Sequence, residues 1–134
     1  MESRNRHPES RSLGQAAEAV ACDWLCRQGL RLLFRNFRSR FGEIDLVMLD
    51  GDVLVFVEVR CRAGRSLAPA AATVRRDKQR RLLRTALVFV AAHPHLANHP
   101  MRFDVIGYDG RPSPAGPSDW IRSAFDAEYS GLRR

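Results

Sequence analysis

Lysine is almost missing from this sequence: of its 22 Lys and Arg residues, only Lys78 is a lysine. The skew runs through the whole chain, so an arginine at one position carries little information about selection at that position. Cysteine is scarce as well. Cys22, Cys26 and Cys61 are an odd number, which cannot close a disulfide set, and they supply too few ligands at close spacing for a zinc site. They read as small buried or half-buried residues. No apolar run approaches the roughly 18 residues of a membrane span. The longest, Val53–Val57 and Ala86–Ala92, have the length of a strand and of a helix end. The N-terminal stretch Met1–Arg11 is charged and polar with no apolar segment behind it, which does not read as a secretory signal. The expectation is a cytoplasmic protein without a membrane partner. Internal repeats are absent.

What is present is enough apolar content for one core. The chain has 134 residues, 45% of them hydrophobic, which suits a single domain and is too short for two. Its net charge of +7 suits a polyanionic partner, and phosphate backbones are the commonest of these. A plain basic protein would show the same balance.

Residues 1–11 read as a mobile tail, 12–126 as one domain and 127–134 as a C-terminal tail. Ser12 suits the N-cap of a first helix running to about Gln28 and stopped by Gly29. Glu18 lies on that helix among small and apolar neighbours. Leu30–Phe37 alternates as a first strand, interrupted by Leu33. Gly42–Leu49 and Val53–Cys61 follow as strands joined by the turn Asp50-Gly51-Asp52. Ala63–Pro69 reads as a loop. A second helix spans about Thr73–Ala92 and ends before His93-Pro94. Met101–Tyr108 is a fourth strand, and Asp119–Phe125 a short last strand or edge segment. The order α-β-β-β-α-β implies an α/β domain with a mixed sheet flanked by helices.

Side-chain parity follows from the turn. If Asp50-Gly51 forms the loop, Asp45 faces Phe56 and lies diagonal to Glu58. If Gly51-Asp52 forms it, Asp45 faces Glu58 directly. Both even registers place Asp45, Glu58 and Arg60 on one face. Two carboxylates about 5 Å apart on adjacent strands repel each other and lose hydration. Two cations could offset that: a divalent metal such as Mg²⁺ or Mn²⁺ held by oxygen ligands, or the Arg60 guanidinium in a structural ion pair.

Gly42-Glu43-Ile44-Asp45-Leu46, the Asp50-Gly51 turn and Phe56-Val57-Glu58-Val59-Arg60 together resemble the centre of the bacterial YraN family. Gly14-Gln15-Ala16-Ala17-Glu18, Asn36-Phe37-Arg38, Lys78-Gln79-Arg80-Arg81-Leu82 and Arg102-Phe103-Asp104-Val105 match the same family in order and spacing. The resemblance covers residues 12 to 126. It implies a fold similar to restriction endonucleases and archaeal Holliday-junction resolvases. The implied activity is a Mg²⁺- or Mn²⁺-dependent endonuclease acting on DNA in preference to RNA, with branched or structured DNA among its candidate substrates. The alternative is a nucleic-acid-binding module of that fold without turnover. The same resemblance gives metal ligation to Asp45, Glu58 and the Val59 carbonyl, a supporting carboxylate to Glu18, and, from resolvase-like relatives, a homodimer.

The departure from the nuclease pattern is Arg60, which stands where that pattern has lysine. Arginine can hold a phosphate oxygen through its fork, but it remains protonated at any working pH and takes no proton from water. The second helix carries Arg75, Arg76, Lys78, Arg80, Arg81 and Arg84 with only Asp77 to interleave, a set suited to backbone phosphates and not to reading bases. A solvated helix face is the plainer reading of the same residues. His93, His95 and His99 have no cysteine or acid at ligand spacing and read as loop residues. Trp24, Phe34, Phe56 and Phe103 sit at core periodicity.

Overall fold

Two adjacent strands, β2 (Gly42–Asp50) and β3 (Val53–Arg62), are apolar on both faces, so both faces have to be covered. The computed structural model, which describes residues 8–62, Ala70 and 74–125, supplies one helix for each. Leu46, Met48, Val55 and Val57 pack with Ala21, Cys22 and Leu25 of α1 (Pro8–Arg27). Val47, Leu49, Leu54 and Phe56 pack with Leu82, Leu83, Ala86 and Phe89 of α2 (Arg76–Ala92). Five strands form one sheet in chain order, with β1 (Arg31–Ser39) at one edge, then β2, β3 and β4 (Met101–Asp109), and β5 (Asp119–Phe125) at the other. All neighbours are antiparallel except β3 and β4, which run parallel. A parallel pair needs a long crossover, and here the crossover carries α2. The expected mixed sheet between helices is therefore present. Among the described residues, no helix is long and apolar enough to cross a membrane.

Several boundaries differ from expectation for local reasons. Helix α1 starts at Pro8 instead of Ser12; proline suits a first helical turn, where its missing N–H forfeits no bond. It stops as expected at Gly29, whose φ of 103° only glycine adopts easily. Leu30 N–H bonds Leu25 O at 3.1 Å and Gly29 N–H bonds Cys26 O at 3.0 Å, the paired closure of a helix by a left-handed residue. Leu30 is thereby committed to the helix end, and β1 begins one residue later. The interruption at Leu33 is a bulge between Leu32 and Phe34. Helix α2 begins at Arg76, after an extended Arg75. The loop read over Ala63–Pro69, Thr73 and the tail 127–134 lie outside the described residues.

The β2–β3 turn is the second of the two even registers. Asp50 pairs with Val53 across Gly51-Asp52, and Gly51 takes φ 62° at the first central position. A two-residue hairpin with positive φ at its first position favours glycine there, which selects this loop over Asp50-Gly51. The ladder then runs to Leu46↔Val57, pointing Asp45 at Glu58.

Two sequence readings need correction. Phe56 and Phe103 are buried and stacked on each other at 5.1 Å, but Phe34 is 41% exposed, because the Leu33 bulge pushes it toward the rim of the α2 face. Cys22 is buried, whereas Cys26 and Cys61 are exposed, and all three are free.

Candidate active site

The regular pairing of β2 with β3 ends one step short of Asp45 and Glu58. In place of another ladder bond, the Val59 N–H donates to Asp45 Oδ2 at 2.8 Å. On its other side Asp45 lies between the pairs Arg35↔Leu46 and Phe37↔Ile44, level with Asn36, which has φ 54°. Asparagine is among the few side-chain-bearing residues that tolerate this left-handed conformation. The up-and-down alternation breaks here. Ile44 and Val47, three apart, both join the α2-side core, so the side chain of Asp45 is released from strict parity. Asn36 Nδ2 then donates to Glu18 Oε1 at 2.7 Å and ties α1 to this irregular stretch.

Glu58 follows Leu54 and Phe56 on the α2 face and is only 5% exposed. Its Oε2 receives Lys78 Nζ at 3.0 Å and Arg60 Nη1 at 3.5 Å. A cavity of about 400 Å³ opens between the helices at this end of the sheet. It is lined by Gly14, Ala17 and Glu18 from α1, Gly42, Glu43 and Asp45 from β2, Glu58 to Cys61 from β3, and Lys78, Arg81 and Leu82 from α2. The expected grouping of Glu18, Asp45, Glu58, Val59 and Arg60 thus occurs, with one change. The group does not sit on a single face. It straddles the end of the sheet, because the break at Asn36 and Asp45 lets α1 and α2 reach it from opposite sides.

Electrostatics fit that crowding. Burial holds the Asp45 carboxyl well above its ordinary range, and the charge of Glu58 adds to the effect. The Val59 N–H opposes it, while Glu18 pushes the same way through charge and a shared hydrogen bond. Lys78 and Arg60 both pair with Glu58, while the influences on Asp45 are burial, two carboxylates and one backbone N–H. Among the described residues, no group of three or more His, Cys, Asp and Glu side chains is already gathered as a metal site. His93 stacks on Phe89 at 4.1 Å, and His99 Nδ1 pairs with the Asp52 carbonyl at 2.6 Å.

The basic residues of α2 divide. Lys78 and Arg81 line the cavity, whereas Arg75, Arg76, Arg80 and Arg84 are exposed outside it. Sequence reasoning missed the residues at the β1–β2 turn. The ring of Phe41 lies under Arg40 at 4.9 Å and under Arg84 at 5.6 Å, so the turn and α2 share one basic rim. The run Arg38-Ser39-Arg40-Phe41 between two strands was the available signal. A second buried carboxylate was missed too. Asp104 accepts from Arg102 Nε at 3.0 Å, Trp120 Nε1 at 3.0 Å and the Ser123 N–H at 3.1 Å; it is fully partnered and structural.

The profile of the uncharacterised protein family UPF0102 matches residues 17–108. The chain belongs to this family, the YraN family. A UPF0102 protein of Pseudomonas syringae is 49% identical over 114 residues, covering 85% of this chain and 93% of that protein. One from Stutzerimonas stutzeri is 48% identical over 119 residues, 89% of this chain and 98% of its own. One from Alcanivorax borkumensis is 45% identical over 118 residues, with 88% and 94% covered. The UPF0102 match takes in Glu18, Asn36, Asp45, Glu58 and Lys78, and leaves out β5.

Proposed function

We propose that this chain is a divalent-metal-dependent endonuclease of restriction-endonuclease-like fold that hydrolyses phosphodiesters in DNA, with branched or structured DNA among its candidate substrates. The observation that carries the reading is the convergence of Glu18, Asp45 and Glu58, from three different elements, on a cavity whose rim is basic. Carboxylates at the floor and guanidinium groups at the edge suit a phosphate backbone held over an acidic centre.

The donor set fits Mg²⁺ or Mn²⁺ in kind: hard carboxylate oxygens and a strand carbonyl. Asp45 and Glu58 would hold the ion, joined by the Val59 carbonyl. That carbonyl projects to the same side of β3 as the Val59 N–H that meets Asp45, as the two groups of one strand residue do. Burial and the neighbouring carboxylates of Glu58 and Glu18 would favour a cation beside Asp45. Such an ion activates water and stabilises charge on the reacting phosphate. Arg60 would grip a non-bridging phosphate oxygen, Glu18 would orient Asp45 or a water beside it, and Arg81 and Arg84 would hold flanking phosphates.

One observation favours a second reading, a nucleic-acid-binding module without turnover. Lys78 and Arg60 already balance Glu58, leaving it less in need of a metal. Calorimetric titration with Mn²⁺ separates the two. Binding by the native chain that is lost in Asp45→Ala and Glu58→Ala supports the enzyme; no heat from the native chain, with DNA still bound, leaves the binding module. In either case two copies would present paired sites to a branched substrate, and sedimentation analysis reads that assembly directly.

A further inference from the structure

Of all the basic residues in the chain, the single lysine is the one that α2 delivers to the most buried carboxylate of the acidic centre. Its Nζ is 3.0 Å from Glu58 Oε2, while the neighbouring Arg60 reaches the same oxygen at 3.5 Å. Lys78 keeps 35% of its side chain exposed and lines the cavity, so its head is anchored but not closed off. An ammonium carries three donors on one rotatable atom. Among the described residues Glu58 is its one ion-pair partner, which leaves donors facing the cavity. Arg81, one turn further along the helix, also lines the cavity but pairs with Asp77 at 3.4 Å and not with Glu58.

The geometry points to Lys78, anchored on Glu58, as a catalytic residue that presents its remaining N–H donors to the scissile phosphate and the attacking water. This rests on the nuclease reading above and adds to it a group from α2 that the strand motif does not contain. In the reaction, the water oxygen bonds phosphorus and the departing sugar oxygen leaves with the electron pair of the broken P–O bond. That oxygen takes one of the water's protons, and the other is shed from the new phosphate to solvent. Lys78 remains an ammonium throughout; it holds the growing negative charge on the phosphate oxygens and fixes the angle of approach.

The scarcity of lysine makes this testable without turnover. An amine-directed acylating reagent applied to the full chain meets one lysine ε-amine, distinguished from the N-terminal amine by peptide mass mapping. In metal-free, low-salt buffer, branched or duplex DNA at about ten times its Kd should slow Lys78 acylation about tenfold, the limit set by occupancy. In parallel, Lys78→Gln should lower Mn²⁺-dependent cleavage by about a hundredfold or more while Mn²⁺ affinity stays within a few-fold of native. Full-rate acylation of Lys78 with DNA demonstrably bound would overturn the role of Lys78 and leave DNA binding standing. Undiminished cleavage by Lys78→Gln would do the same. Absence of DNA binding by the native chain would remove this inference together with the function on which it rests.

Discussion

The carboxylate of Asp45 accepts the backbone N–H of Val59 at 2.8 Å, where the β2–β3 ladder would otherwise have continued. This bond stabilises the ionised form of a carboxyl that burial, Glu58 and Glu18 all drive toward protonation. Folded Asp45 therefore holds its proton to higher pH than the unfolded chain does. Its contribution favours folding below the ordinary value of 3.8 and is lost as pH rises through the folded value. Asp45→Asn, measured by urea denaturation in chelator, should raise the midpoint at pH 8 and converge with the native chain near pH 3.5. An equal effect at both ends would mean that the carboxyl is not crowded.

Replacing Asp104 should lower stability, where replacing Asp45 raises it. Its side chain is fully buried and bound to Arg102, Trp120 and the backbone of Ser123, which holds φ 51°. Removing one member of a buried pair costs about 3–5 kcal/mol. Asp104→Ala should lose that much stability in denaturant titrations, while DNA affinity of the folded protein is unchanged.

Arg40 and Arg84, gathered around Phe41, are the test of the basic rim. Replacing both with alanine should weaken duplex binding. It should also reduce the slope of log K against log salt by up to ~0.9 for each phosphate no longer neutralised. A slope equal to that of the native chain would place the nucleic acid elsewhere.

Arg60 can be separated from the carboxylates. Arg60→Lys should retain Mn²⁺-dependent cleavage, since either cation can hold a phosphate oxygen at that position, whereas Asp45→Ala and Glu58→Ala should reduce it to background. Gel assays on branched, duplex and single-stranded DNA give the ranking. Cleavage that survives the loss of Asp45 would exclude it as a ligand.

Much of the fold was legible because its signals are local. Alternation in Leu54–Val59 gives a strand, and the Asp50-Gly51-Asp52 turn gives a hairpin. Which pair of turn residues forms the loop depended on where positive φ falls, and glycine at position 51 decided it. The acidic group was legible through parity. Its straddling of the sheet was not, because that depends on Asn36 adopting a left-handed backbone, a choice its neighbours in sequence do not reveal. Lys78 read as one more cation on a basic face, although its spacing of four from buried Leu82 sets it on the inner side of α2, away from Arg80, where it meets Glu58. Asp104 looked like an ordinary strand residue, since Trp120 and Ser123 reach it from β5, the element with the weakest pattern.

The single parallel pairing has a kinetic consequence. Strands β1 to β3 form an antiparallel meander through short turns, so Asn36, Asp45, Glu58 and Val59 can come together early in folding. Strand β4 must pair Met101 with Leu54, and this register closes only after the long crossover bearing α2 has been laid across the sheet. Until that step Glu58 stands in water without its lysine. A chain stalled at the meander would expose the unpaired edge of β3 beside an acidic cluster that lacks Lys78. Late docking of α2 thus equips the cavity with its ammonium and brings in β4, which covers that edge.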